Sequence, residues 1–87
     1  MRGLSPEQLL LIADAVCEVH GVAVRDFAGI SAAAAVSTAS FHGVRVHASP
    51  AAVAAAVAGT IRSLEPLSGR NETFAAVSQR VLLQLNS

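Results

Sequence analysis

The residues in this chain most able to do chemistry cluster in Leu64-Glu65-Pro66-Leu67-Ser68-Gly69-Arg70-Asn71-Glu72-Thr73, just ahead of an apolar run to Leu85. Gly69 allows a tight turn. Asn71 or Thr73 is placed to cap a following helix. A turn of this kind aims unpaired backbone N–H groups at the helix N-terminus, where an anion such as a phosphate can sit. Arg70 would add a charged, bidentate donor. Glu65 is the one candidate base at the head of the loop. The plainer reading of the same residues is an ordinary connection between two helices, with a Gly turn and an Asn cap.

Two smaller sets were weighed. Cys17 and His20 stand close enough on one helix to form half a metal site, with His42 and His47 the other possible nitrogen ligands. A structural zinc takes four such ligands, and no recognised ligand spacing is present. Cys17 therefore reads as a buried thiol and His20 as a helix-end residue. No metal is expected. His42 and His47 titrate near neutrality in principle, but read as solvated loop residues.

Four elements must position the loop. Ser5-Pro6 with Gln8 is a capping box with Pro at the first helical position. It predicts a helix over 6–20, with Leu9, Ile12, Ala13, Val16 and Val19 or His20 inward and Gly21 as the stop. Val22 to Arg25 is extended, and Asp26 caps a second helix over 27–38. Its narrow face of Ile30, Ala33, Ala34 and Ser37 places it centrally. Ser49-Pro50 repeats the start signal for a third helix over 50–63, with Val53, Ala56, Val57 and Ile61 inward. The fourth spans 72–85, with Phe74, Val77, Val81 and Leu85 on one face. Between helices 2 and 3, Val44-Arg45-Val46-His47 alternates as a short strand does. The expected fold is all-α, a compact bundle of about four helices in one domain over 1–87.

Read together, several stretches resemble the Fic/Doc family on its death-on-curing side. Leu4-Ser5-Pro6-Glu7 is similar to the family's L-T-P-E start. Val24-Arg25-Asp26 with Gly29-Ile30 resembles V-R-D-x-G-L, and Ser31-Ala32-Ala33 resembles E-S-A. Leu64 to Thr73 stands where H-x-F-x-D-G-N-K-R-T is found, and Leu85-Asn86-Ser87 matches an L-N-G-like tail. The resemblance runs over nearly the whole chain in the family's order. It implies a truncated Fic/Doc core, with Val44, Arg45 and Val46 in a flap that holds a target segment by strand-like pairing.

The chain departs from the family where the chemistry lives. Aligned without a gap from Gly69, the catalytic His position holds Leu64; with one residue deleted it holds Glu65. The acidic metal position holds Ser68, and the Asn after the Gly is Arg70, with Asn71 one place late. Glu72 falls among the basic phosphate-binding positions. No alignment restores His, acid and Arg at once. Ser68, Gly69, Arg70 and Asn71 thus form a worn phosphate loop. The resemblance implies a Doc-like component of a bacterial toxin–antitoxin type module that has lost its transferase activity and acts by binding protein. ATP and magnesium enter only if the site is active. The alternatives are a divergent transferase moving phosphate or AMP to a protein, and an unrelated helical interaction domain.

Composition bounds the rest. In 87 residues, 53% are hydrophobic and 14% charged, which excludes a disordered chain. Six basic residues balance six acidic ones, so there is no electrostatic footprint for nucleic acid. One cysteine permits no internal disulfide, so a reducing cytoplasm is the default. The long stretch from Asp26 to Arg62 carries only Arg45 as a charge, but it is Ala-rich and broken by Ser, Gly, His and Pro, which argues against a membrane span. An apolar fourth helix in so short a domain leaves surface to cover. A protein partner or homodimer is expected, through a patch at Val81, Leu82 and Leu83.

Overall fold

A computed structural model describes residues 2–39 and 49–87. They form α1 (Pro6–His20), α2 (Phe27–Ala39), α3 (Pro50–Leu64) and α4 (Asn71–Leu85). The fold is all-α, and among the described residues the one β-type pairing is an isolated antiparallel bridge between Val24 and Leu67. The strand-like stretch Val44-Arg45-Val46 lies outside the described residues, as do His42 and His47.

The helix starts follow from local chemistry. Ser5 Oγ accepts from the Gln8 N–H at 3.1 Å while Gln8 Oε1 accepts from the Ser5 N–H at 2.8 Å. Two of the four N–H groups left unpaired at a helix start are thereby satisfied. Gly21 ends α1 at φ 68°, with its N–H on Cys17 O at 2.8 Å. Asp26 Oδ1 accepts from the Ala28 N–H at the head of α2. Ser49 Oγ accepts from the Ala52 N–H, with Pro50 in the first turn of α3.

The four helices pack in a ring, each against its two chain or ring neighbours. α3 packs most extensively, against α2 on one side and α4 on the other. The sequence placed α2 at the centre, on the strength of its small residues. Those residues let α3 approach closely, but α3 itself is lined by Val53, Ala54, Val57, Ala58 and Ile61, all buried. Ala56, expected inward, is half-buried. Burial of such apolar side chains stabilises by about 25 cal/mol per Å² of apolar surface.

Two inward faces differ from their expectation. On α1 the buried residues are Leu9, Ala13 and Val16, whereas Val19 is 75% exposed and His20 is exposed. On α4 Phe74 is buried as expected, but with Ala75, Ser78 and Leu82 in place of Val77, Val81 and Leu85. Val77 is 38% exposed, and Val81 and Leu85 are half-buried. The reason is close packing. α4 packs most extensively against the Ala-rich α3, and its buried face includes the small residues Ala75 and Ser78 beside Phe74 and Leu82. A search for large apolar residues passes over the small pair. Of the patch expected at Val81, Leu82 and Leu83, Leu82 is fully buried and Val81 half-buried, while Leu83 is 38% exposed.

One polar contact fastens the chain start. Ser37 Oγ is buried on α2, accepts from the Leu4 N–H at 3.0 Å and donates to Ala34 O at 2.7 Å. It pins Leu4, itself buried, onto α2.

Candidate functional site

The loop at 65–70 is held against the α1–α2 connector by main-chain atoms. Pro66 O accepts from the N–H groups of Arg25 at 2.7 Å and Asp26 at 3.0 Å. The Ser68 N–H donates to Ala23 O at 2.8 Å. These bonds run on both sides of the Val24–Leu67 bridge, so two connections far apart in sequence form one clip.

The side chains expected to form a phosphate loop serve this clip. Ser68 Oγ accepts from the Ala23 N–H at 3.0 Å. Asn71 Oδ1 accepts from the Leu67 N–H at 2.9 Å, and Asn71 Nδ2 donates to Leu67 O at 3.0 Å. Asn71 therefore folds back onto the loop, and neither it nor Thr73 caps α4. The cap position is Arg70, with no side-chain cap bond. Gly69 does not supply the turn either. The left-handed residues here are Glu65 at φ 47° and Arg70 at φ 60°. What Gly69 supplies is room, since an added Cβ would lie 3.2 Å from Val22 Cγ1.

Glu65 caps the C-terminus of α3 through its N–H on Ile61 O at 2.9 Å. Its carbonyl accepts from Arg25 Nη2 at 2.7 Å, and its carboxylate lies 3.9 Å from the same nitrogen. Both side chains are more than half exposed. A carboxylate in water beside a guanidinium is poorly placed to take a proton from a hydroxyl nucleophile. Glu72 is tied to Arg62, whose Nε donates to both carboxylate oxygens at 3.0 and 2.8 Å. This pair was not read from the sequence, where nothing marks two residues ten apart on different helices as partners. Arg70 alone keeps an exposed cation at the loop.

The set does not fit magnesium–ATP. The family resemblance would put the metal's carboxylate at position 68, where this chain has a hydroxyl that already accepts from the Ala23 N–H. The first turn of α4 presents Glu72, and position 64 holds an apolar side chain. Among the described residues no three of His, Cys, Asp and Glu come together for a metal. Cys17 is half-buried, and burial, with Asp14 adding to it, pushes its thiol pKa up, away from the thiolate that metal binding needs.

The Arg62–Glu72 hydrogen bond holds the Glu72 carboxyl below the usual carboxylate range. A lowered folded-state pKa contributes stability above the unfolded value, and that contribution is lost as pH falls through the folded value. Acid titration of stability should therefore show a small loss in the carboxylate range that Glu72→Gln diminishes. An unchanged acid limb in Glu72→Gln would remove the pair from the ledger of folding. Both groups are solvent-exposed, so the effect is minor.

A concave feature among the described residues lies elsewhere. Leu11, Ile12, Ala15, Val16, Val19 and His20 of α1 and Thr73 and Val77 of α4 line an open groove of about 450 Å³. Leu11 is 70% exposed and Val19 is 75% exposed. The sequence assigned Val19 to the core and left Leu11 unassigned. Exposed apolar surface is therefore gathered between α1 and α4, while Phe27, Leu64 and Leu83 are exposed singly elsewhere.

Comparison with protein-family models, with curated proteins and with solved structures gave no match. Among the described residues no helix is long and apolar enough to cross a membrane.

Proposed function

We propose that this chain is a Doc-like component of a bacterial toxin–antitoxin type module that performs no group transfer and acts by binding protein. One observation carries the non-catalytic part. Ser68 and Asn71, the polar residues beside Gly69, direct their hydrogen bonds to the backbone of the clip. Phosphoryl or nucleotidyl transfer requires a base, a metal and a cationic clamp around the phosphates. Those positions hold a solvated Glu65, a hydroxyl already in use and a Glu72 already paired.

The Doc-like part is supported by the sequence resemblance, by the order of four helices and by the position of the worn loop between α3 and α4. The protein-binding part is supported by the apolar groove between α1 and α4. Large exposed apolar side chains gathered in one groove usually mark an interface.

Incubation with labelled ATP, magnesium and a cell extract is expected to label no protein. A labelled band that disappears in Glu65→Ala would overturn the proposal and identify the replacement base. A nucleotide titration with and without magnesium completes the test, with no magnesium-dependent binding expected.

A further inference from the structure

The α1–α4 groove has a rim as well as a floor, and the rim is charged in a particular way. Among the described residues two ion pairs form, Arg25–Glu65 and Arg62–Glu72. Asp26 is used in the start of α2. The acids that remain are Glu7, Asp14 and Glu18, all exposed and all on α1. Helical spacing puts the three on one stripe beside Leu11 and Ala15, along the outer edge of the groove. The exposed bases that remain are Arg2, beside Asn86, and Arg70 and Arg80 at α4. Arg80 follows Thr73 and Val77 on their own stripe, and Arg70 stands at the head of the same helix. One wall of the groove is edged with acid and the other with base.

The two walls run antiparallel. Arg2 N–H donates to Asn86 Oδ1 at one end, and the Ala23 N–H donates to Ser68 Oγ at 3.0 Å at the other. This fixes how two such grooves can meet. A two-fold axis along the groove sets α1 of each copy over α4 of the other, acid on base at both edges. An axis across the groove sets α1 over α1 and places Glu7, Asp14 and Glu18 against themselves. Opposite potentials facing each other select the first arrangement and suppress the second. A two-fold contact uses the same patch twice, so one complementary groove supplies both halves of the interface.

We propose that the α1–α4 groove is closed by the same groove of a second copy of this chain, with the acidic edge of α1 against the basic edge of α4 in each direction. Leu11, Val19 and Val77 form the apolar centre, and the charged edges fix register. The inference rests on the protein-binding reading above and names the partner.

Sedimentation of the full chain over a wide concentration range is the test. A dimer is expected that weakens as salt is raised, because exposed charges are screened. Val19→Asp should give a monomer with an unchanged helical circular dichroism signal, since Val19 is exposed in the single copy. Glu18→Arg and Arg70→Glu, which the antiparallel walls set opposite each other, should each raise the dimer dissociation constant by about tenfold or more. The two together in one chain should recover most of that loss. A monomer at every concentration would overturn the proposal. So would a dimer indifferent to Val19→Asp, or single charge reversals that leave it unweakened. These outcomes are separate from the labelled-ATP result. Label transfer would end the non-catalytic reading and leave the dimer standing, while a monomer would end the dimer and leave that reading standing.

Discussion

Phe74→Ala is expected to remove about 3–5 kcal/mol of stability, the usual cost of emptying an aromatic site in a core. Phe74 is fully buried and, among the described residues, is the largest side chain so enclosed. It stands in the first turn of α4, with its N–H on Arg70 O at 3.0 Å. Its backbone is thus tied to the end of the clip while its side chain belongs to the core cluster. Small domains have only about 5–15 kcal/mol in total. The variant should be largely unfolded at modest urea, and its midpoint should fall far more than that of Phe74→Leu, which keeps most of the apolar volume. A Phe74→Ala chain with the parent midpoint would mean that the ring does not fill the core as described.

Asn71→Ala is expected to cost about 2–4 kcal/mol, from two lost hydrogen bonds and the desolvated groups they leave behind. Its amide satisfies both the N–H and the C=O of Leu67, a residue with no exposed surface. Removing it leaves two backbone groups to be met by water or by a shift of the loop. Asn71→Asp separates the two bonds. A carboxylate still accepts from the Leu67 N–H but faces the Leu67 carbonyl where an amide donated. Its stability by urea denaturation should fall between parent and Ala variant. Equal stability of all three would show that the loop is held by main-chain bonds alone.

The elements legible in the sequence are those whose signals are local. Ser5, Pro6, Gln8 and Gly21 sit within a turn of the groups they satisfy, and α1 begins and ends where they place it. Ser49-Pro50 did the same for α3. The clip was not legible, because Pro66 O, Ala23 O and the Ser68 N–H are main-chain atoms that carry no residue signature. Its turns were assigned to Gly69, yet the left-handed backbone is at Glu65 and Arg70. Side chains there tolerate a conformation that glycine favours, because the surrounding hydrogen bonds hold it.

The loop ahead of α4 was legible as a position and not as a set of contacts. Ser68, Gly69, Arg70 and Asn71 do lie together ahead of α4. Nothing in their order showed that Ser68 reaches Ala23 or that Asn71 turns back to Leu67. The groove was missed for a different reason. Periodicity marks Val19 as apolar and in phase with Val16, but a helix at the edge of a four-membered ring has more apolar arc than its neighbours cover.

The clip also bears on how freely this region can change over generations. Its shape is written largely in carbonyl and amide groups, which every sequence supplies. Leu64, Glu65 and Arg70 project to solvent, so packing places little demand on the side chains there, although the left-handed backbone at Glu65 and Arg70 disfavours branched ones. A reactive group could leave those positions, or arrive at them, while the path of the chain stayed the same. A scaffold of this kind is open to acquiring chemistry at its exposed positions.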